Sequence, residues 1–137
     1  MKAYVDSSVL IRVIFGEPNP LGSWARIDMP VSSELVRVEC LRTIDRARIH
    51  SRLEDDDVAR RRASAFELLQ GIGVVPLGSD VLDRAASPFP TSLGTLDAIH
   101  LSSALLAREQ YEDLIFATHD RVLGIAARAM GFRVEGI

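Results

Sequence analysis

The chain has 137 residues, of which 47% are apolar, and a formal net charge of −3 with a pI near 5.6. This size fits one ordinary domain with its own core, and we expect a single domain over residues 1–137. The acidic balance argues against nucleic-acid binding through bulk positive charge, so such binding would need a local patch. Cys40 is the only cysteine, which excludes an intrachain disulfide and a cysteine-based zinc cluster.

Short apolar segments alternate with helical ones along the chain. In order, the pattern predicts a strand at 3–5, a helix at 7–15, a short helix at 22–27, an extended segment at 30–33, helices at 34–52 and 55–70, a strand at 73–77, helices at 79–87 and 95–109, a strand at 113–120, a helix at 121–130 and a last strand at 132–137. Gly16 and Pro18 end the first long helix. Such alternation predicts an α/β fold with a largely parallel sheet, which binds ligands beyond the carboxyl ends of its strands.

No apolar stretch reaches the roughly 20 residues that a membrane span requires. Asp6 and Arg12 interrupt the early apolar run, so we do not expect it to be a signal peptide. The expected location is therefore the cytoplasm, and no membrane association is predicted.

Two acids lie where a predicted strand meets a helix. Asp6 follows the first strand, and Asp120 follows the strand that ends near Thr118. Aspartate commonly caps a helix N-terminus, and this local explanation is sufficient for either residue taken alone. We expect the intervening His119 to be exposed, because one histidine beside one acid defines no metal site.

Glu39 lies within the predicted long helix, at the margin of its apolar face. Arg42 and Arg46 share its arc of the helix, so Glu39 is either an exposed carboxylate with arginine partners or an acid in a cleft whose rim contacts phosphate. Asp97 begins a helix that has almost no polar face, where an ionised carboxylate needs a partner. The helix dipole could stabilise Asp97, but a metal ion would satisfy its charge better.

Four acids at strand ends and helix starts are less easily explained by four separate local roles. Carboxylates that converge repel one another, so such a cluster needs a cation. Oxygen ligands without a cysteine or a histidine pair favour a hard ion, Mg²⁺ or Mn²⁺.

Four segments of the sequence together resemble the PIN-domain ribonucleases, and within them the VapC-type toxins of bacterial toxin–antitoxin pairs. These segments are YVDSSVLI, SSELVRVECLR, TLDAIHLSSALL and FATHDRVLGIAARAMGF, and the resemblance covers essentially the whole chain. It implies a PIN-like fold with a mostly parallel sheet of about five short strands flanked by helices. It also implies an endoribonuclease that inhibits translation or growth when it is released from its antitoxin.

The resemblance further assigns roles to individual residues. It implies that Asp6, Glu39, Asp97 and Asp120 hold Mg²⁺ or Mn²⁺, and that Thr118 belongs to the same catalytic group. Asp120 could also act through water rather than bind the metal directly. The expected substrate-binding residues are Ser7, Arg42 and Arg46, and the expected partners are RNA, a cognate antitoxin and a second copy of the chain within a larger toxin–antitoxin assembly.

Three other classes of protein share some of these features. Haloacid-dehalogenase phosphotransferases and response-regulator receivers also place an aspartate after the first strand, but both use a lysine near it, and Lys2 lies upstream in the same strand. A non-catalytic PIN-fold module that only binds a partner is the main alternative, against which the four intact acids argue. Trp24 could line an antitoxin groove or pack in the core, and the core is the favoured interpretation.

Overall fold

The computed structural model describes residues 1–137, in which five strands alternate with six α-helices. The strands are β1 (Lys2–Val5), β2 (Met29–Ser33), β3 (Gly73–Val75), β4 (Ile115–Ala117) and β5 (Val134–Glu135). The helices are α1 (Ser7–Phe15), α2 (Leu35–Ser51), α3 (Asp55–Gln70), α4 (Ser79–Ala85), α5 (Thr95–Gln110) and α6 (Arg121–Ala129).

The five strands form one sheet in the order β3-β2-β1-β4-β5, and every neighbouring pair is parallel. The predicted α/β class with a mostly parallel sheet is therefore confirmed. Because β1 is central and all strands run the same way, their carboxyl ends meet at one edge, and the segments that follow them converge there.

Helices cover both faces of the sheet, as parallel sheets require. Side chains of β1 alternate between the two faces: Ala3 and Val5 pack with α1, α2 and α3, while Tyr4 packs with α4, α5 and α6. Each face buries a cluster of 13 residues, so neither layer of helices is a minor addition to the core.

Several elements are shorter than the sequence pattern predicts. The segment predicted as a helix at 22–27 contains only a 3₁₀ turn, Trp24–Arg26. The strand predicted at 73–77 ends at Val75, because Pro76 has no N–H to continue the ladder. The last strand stops at Glu135 because Gly136 adopts φ +106°, outside the extended region. A Cβ at Gly136 would meet the Thr118 carbonyl oxygen, so this close approach also requires glycine.

Two residues clarify how the first layer of helices packs. Cys40 on α2 is fully buried, and burial together with the nearby negative charges of Glu39 and Asp6 raises its thiol pKa to about 12. Trp24 packs partly buried against the same core and lines a cavity of about 420 Å³ with residues of α1 and α3.

None of the helices combines the length and the apolar character that crossing a bilayer would demand.

Candidate active site

The carboxyl edge of the central strands brings Asp6 and Thr118 together. Val5 of β1 pairs with Ala117 of β4, so Asp6 and Thr118, which follow these residues, lie side by side. The Asp6 N–H continues the contact by donating to the Ala117 carbonyl at 3.3 Å. Residues 112 positions apart in sequence therefore share one site.

Capping of α1 is not the main role of Asp6. It occupies the N-cap position, where the Val9 N–H is a minor influence on its pKa, but its short hydrogen bonds come from side chains rather than from the helix backbone. Instead, Oδ1 accepts from Ser8 Oγ at 2.6 Å and Oδ2 accepts from Thr118 Oγ1 at 2.9 Å. The side chain is buried, and burial raises the Asp6 pKa despite these hydrogen bonds and the nearby His100. Local capping therefore does not account for the buried contacts of this acid.

Ser8 and Thr118 join Asp6 to the segment that follows β4. Ser8 Oγ accepts from the His119 N–H at 2.8 Å, and Thr118 Oγ1 accepts from the Asp120 N–H at 2.9 Å. Each hydroxyl therefore donates to Asp6 and accepts from the backbone, which fixes the rotamers of both side chains. His119 is partly buried rather than exposed as predicted, because its Nδ1 lies 3.1 Å from the Gly136 carbonyl.

Asp120 is a helix cap. Its Oδ1 accepts from the Leu123 N–H at 3.0 Å, which satisfies one of the free donors of the first turn of α6. The same side chain adds negative charge to the site, because it contributes to raising the pKa of Asp97. Capping and a place near the other acids are therefore compatible for this residue.

Glu39 is held by a hydrogen-bonded chain that crosses the sheet edge. Its Oε2 accepts from Ser7 Oγ at 3.2 Å, and its Oε1 lies 2.5 Å from His100 Nε2. The other ring nitrogen, His100 Nδ1, lies 2.8 Å from the hydroxyl of buried Tyr4. Glu39 is 19% exposed and forms no ion pair with Arg42 or Arg46, so the interpretation as an exposed acid with arginine partners is wrong.

His100 is buried, and its charge is set by the acids around it. Burial alone would lower the pKa of the imidazole, but the hydrogen bond to Glu39 and the charges of Glu39, Asp6 and Asp97 outweigh burial and raise it. A carboxylate oxygen only accepts, so Nε2 carries the proton in the contact with Glu39. The imidazole therefore donates to Glu39, and the nearby carboxylates favour its protonated form.

Asp97 lies in the first turn of α5 and has a raised pKa. Burial is the largest cause, followed by the negative charge of Asp120, and Asp6 and Glu39 act in the same direction. His100, one turn further along α5, partly offsets them. The four acids thus influence one another electrostatically, as expected for residues that share one site.

The donor chemistry of this site suits a hard divalent cation, since it consists of carboxylates and hydroxyls. No three of the His, Cys, Asp or Glu side chains form a metal-binding cluster as arranged. Asp6 and Glu39 are instead engaged by protein donors, and each of their carboxylate oxygens has a second lone pair that can still bind a ligand. The oxygen ligands suit Mg²⁺ or Mn²⁺, and a cation would offset the mutual repulsion of the carboxylates.

The predicted substrate-binding residues line a groove beside Glu39. A cavity of about 310 Å³ is bordered by Ser7, Glu39, Arg42 and Arg46, together with Leu96 just before Asp97. Arg42 and Arg46 are exposed on α2, one turn apart, so their guanidinium groups lie on the rim.

Sequence reasoning missed three residues of this network: Tyr4, Ser8 and His100. The spacing offers a signal for His100, because it follows Asp97 by three positions and so faces the same side of α5. Ser8 follows Asp6 by two positions, a spacing at which hydroxyls often bond locally. No local pattern points to Tyr4, because its partner is 96 residues away.

The fold and this arrangement of acids define a PIN domain. The chain matches the PIN domain family over residues 3–128, and it belongs to that family. It is 31% identical over 136 residues to Ribonuclease VapC47 of Mycobacterium tuberculosis, covering 94% of this chain and 92% of the relative. It is also 31% identical over 134 residues to Ribonuclease VapC46 of the same species, covering 96% and 94%.

Solved structures show the same fold at low sequence identity. PAE2754 from Pyrobaculum aerophilum superposes with a TM-score of 0.63 at 19% identity, covering 98% of this chain and 89% of that one. VapBC2 from Rickettsia felis, solved bound to a DNA fragment from its promoter, gives a TM-score of 0.61 at 13% identity and covers 98% of both chains.

Proposed function

We propose that this protein is a metal-dependent endoribonuclease that acts as the toxin of a toxin–antitoxin pair. The observation that carries the proposal is the buried Asp6, which is held by Ser8 and Thr118 and is electrostatically coupled to Asp97 at the carboxyl edge of the sheet. Family membership and the likeness to proteins named VapC ribonucleases support the same activity.

Asp6, Glu39 and Asp97 are the residues that would hold Mg²⁺ or Mn²⁺, with Asp120 beside them. When bound, the ion would supply Lewis-acid stabilisation of the charge on the phosphoryl oxygens. The raised pKa values of Asp6 and Asp97 support this assignment, because added positive charge would relieve the cost of keeping both ionised.

The protein's other residues position these acids and the substrate. Ser8 and Thr118 orient Asp6, and His100 holds Glu39 from the buried side. On the open side, Arg42 and Arg46 would pair with RNA phosphates along the groove, since guanidinium groups bind phosphate in bidentate geometry.

As a toxin, the chain would be restrained by a cognate antitoxin until release, and it would then act on RNA in the cytoplasm and inhibit translation or growth. The structural likeness to VapBC2, solved on DNA from its promoter, supports a search for such a partner. We further propose that the chain forms a homodimer within the toxin–antitoxin assembly.

The test combines metal binding with RNA cleavage. Purified protein should cleave RNA with Mg²⁺ or Mn²⁺, and Asp97→Asn should lose both cleavage and calorimetric Mn²⁺ binding. Asp83→Asn, an exposed acid on α4, is the matched control and should retain both. A wild-type protein that binds its antitoxin but neither binds Mn²⁺ nor cleaves RNA would favour the non-catalytic partner-binding module.

The arginine rim has its own test. Arg42→Ala/Arg46→Ala should weaken RNA binding. The plot of the logarithm of the association constant against the logarithm of salt concentration should become less steep by about 1.4, which is ~0.7 for each phosphate contact with single-stranded RNA. Arg48→Ala, on the same helix but paired with Asp45, should leave the slope unchanged. An unchanged slope in the double variant would show that both arginines are solvated surface residues that do not contact RNA.

A further inference from the structure

Apolar side chains form one end of the groove beside Glu39. Three of the residues that border this cavity of about 310 Å³ are apolar: Leu35 and Val38 on α2, and Leu96 on α5. Val38 is 55% exposed and Leu96 is 52% exposed, and neither belongs to a core cluster. Single exposed apolar residues are common on protein surfaces, but apolar side chains grouped in a groove with a polar rim mark a binding site.

The two exposed apolar side chains lie next to acids of the candidate active site. Val38 directly precedes Glu39 on α2, and Leu96 directly precedes Asp97 in the first turn of α5. The apolar end of the groove therefore forms only where the fold brings these two helices together. A ligand that lies in the groove beside Glu39 contacts apolar surface as well as charge.

The charges along α2 give the groove a direction. Val38, Arg42 and Arg46 follow one another at intervals of four residues, so they lie on one face of the helix, about 6 Å apart along its axis. Neither guanidinium forms an ion pair within the chain. An apolar surface followed by two unpaired arginines matches a strand of RNA, in which each uncharged base is joined to a charged phosphate.

The hydroxyl groups in the groove indicate how it holds a base. Ser7 Oγ donates to Glu39 Oε2 at 3.2 Å, and Thr43 Oγ1 donates to the Glu39 backbone carbonyl at 2.7 Å. Neither hydroxyl proton is therefore free to bond the edge of a base. The aliphatic side chains can pack only against the face of a base, and every base offers such a face. Recognition of this kind tolerates different sequences.

We propose that Val38 and Leu96 hold the face of one RNA base while Arg42 binds a phosphate of the same strand. The inference rests on the proposed ribonuclease function and extends it from phosphate contacts to a base subsite. The cavity of about 310 Å³ lies near the lower limit of the ~300–1,000 Å³ typical of small-ligand sites, which fits a single base.

A protein partner is the competing occupant of this groove. A partner helix docks through apolar anchors spread over about two turns. Here the apolar residues of α2 give way to Arg42 and Arg46 in the next two turns, so the groove offers too short an apolar surface for such a helix.

The central test compares two oligomers that carry the same charge. Binding of a labelled 12-nucleotide oligouridine and of an abasic ribose-phosphate oligomer of equal length is measured in EDTA, so that the result does not depend on catalysis. Wild-type protein should bind oligouridine more tightly. Val38→Ala/Leu96→Ala should weaken oligouridine binding about fivefold for each side chain, the effect of removing ~40 Å² of apolar contact, and should leave abasic binding unchanged.

Leu82→Ala/Ile125→Ala is the matched control. Both residues are exposed and helical, on α4 and α6, and lie outside the groove, so this variant should leave both affinities unchanged. Leu96→Phe should tighten the binding of oligouridine alone, because an aromatic ring stacks on a base. The salt dependence of binding should stay the same in Val38→Ala/Leu96→Ala, because no phosphate contact is lost.

The base subsite would be overturned by a wild-type protein that binds the two oligomers equally, or by an equal loss of affinity in the control variant. A double variant that loses affinity for both oligomers alike would also overturn it, because the lost contact would then not be with a base. Parental oligouridine affinity in Val38→Ala/Leu96→Ala, together with weaker self-association in sedimentation, would assign the surface to a second copy of the chain instead. Absence of cleavage with Mg²⁺ or Mn²⁺ would count against the proposed enzymatic function alone, because the affinities in EDTA report on the subsite separately.

Discussion

The hydrogen-bonded chain from Tyr4 through His100 to Glu39 makes a quantitative prediction about stability. His100→Phe keeps a ring of similar size and removes both nitrogens. The 2.5 Å contact with Glu39 involves a charged group and contributes about 1.5–3 kcal/mol, and the 2.8 Å contact with Tyr4 contributes about 1 kcal/mol. The free energy of unfolding should therefore fall by about 2.5–4 kcal/mol, out of the ~5–15 kcal/mol typical of a domain.

Urea denaturation followed by circular dichroism at pH 6 measures this loss. Tyr4→Phe alone should lose about 1 kcal/mol, and the double variant should lose less than the sum of the two single losses by about 1 kcal/mol, because the bond between the residues is removed only once. His100→Phe should also weaken Mn²⁺ binding, since Glu39 is no longer held. Single losses that add without coupling, or a His100→Phe variant as stable as the parent, would show that the chain of bonds does not contribute in solution.

Three further predictions concern the site and its edge. Asp6→Asn should reduce RNA cleavage at least 100-fold while keeping or raising stability at pH 7, because burial penalises the ionised carboxylate; a variant that still cleaves like the parent would contradict the catalytic role. The pKa values of Asp6, Asp97 and His100 are all raised, so without metal the folded state binds more protons than the unfolded state. The melting temperature should therefore fall as pH rises. The fall should start above 3.8, the ordinary pKa of Asp6 and Asp97, and continue above 6.5, the ordinary pKa of His100. A melting temperature that rises over this range would reverse the inferred signs. Gly136→Ala should cost about 1–3 kcal/mol or more in chemical denaturation, since a Cβ there would meet the Thr118 carbonyl at φ +106°, and an unaffected midpoint would disprove the close approach.

The sequence predicts the class of fold because hydrophobic periodicity and punctuation by glycine and proline are local signals. Gly16, for example, ends α1 in the left-handed conformation, and its N–H donates to the carbonyls of Arg12 and Val13. The sequence predicts strand lengths less well, because hydrogen bonding to neighbouring strands decides where a strand stops. The extended segment at 30–33 gave no local sign that it pairs with both β1 and β3.

In the candidate site, too, local signals could be predicted from the sequence and contacts between distant residues could not. The positions of Asp6 and Asp120 after strands, of Asp97 at a helix start and of Glu39 within a helix could be read from the sequence, because chain order and element type place them there. Their partners could not, because the contacts join residues distant in sequence: Ser7 and Glu39 are separated by 32 positions, and Glu39 and His100 by 61. Asp120 shows a further limit, since one side chain can both cap a helix and charge a site.

The labelling rate of the Cys40 thiol can report how often this part of the protein opens. The thiol is sealed beneath α2, next in sequence to Glu39, and its pKa of about 12 leaves almost no thiolate at neutral pH. A disulfide reagent can therefore react only when the helix that carries Glu39 separates from the sheet. With no second cysteine to compete, the labelling rate at increasing reagent concentration would measure how often that segment exposes itself, and slower labelling with a ligand present would show that the ligand holds it closed.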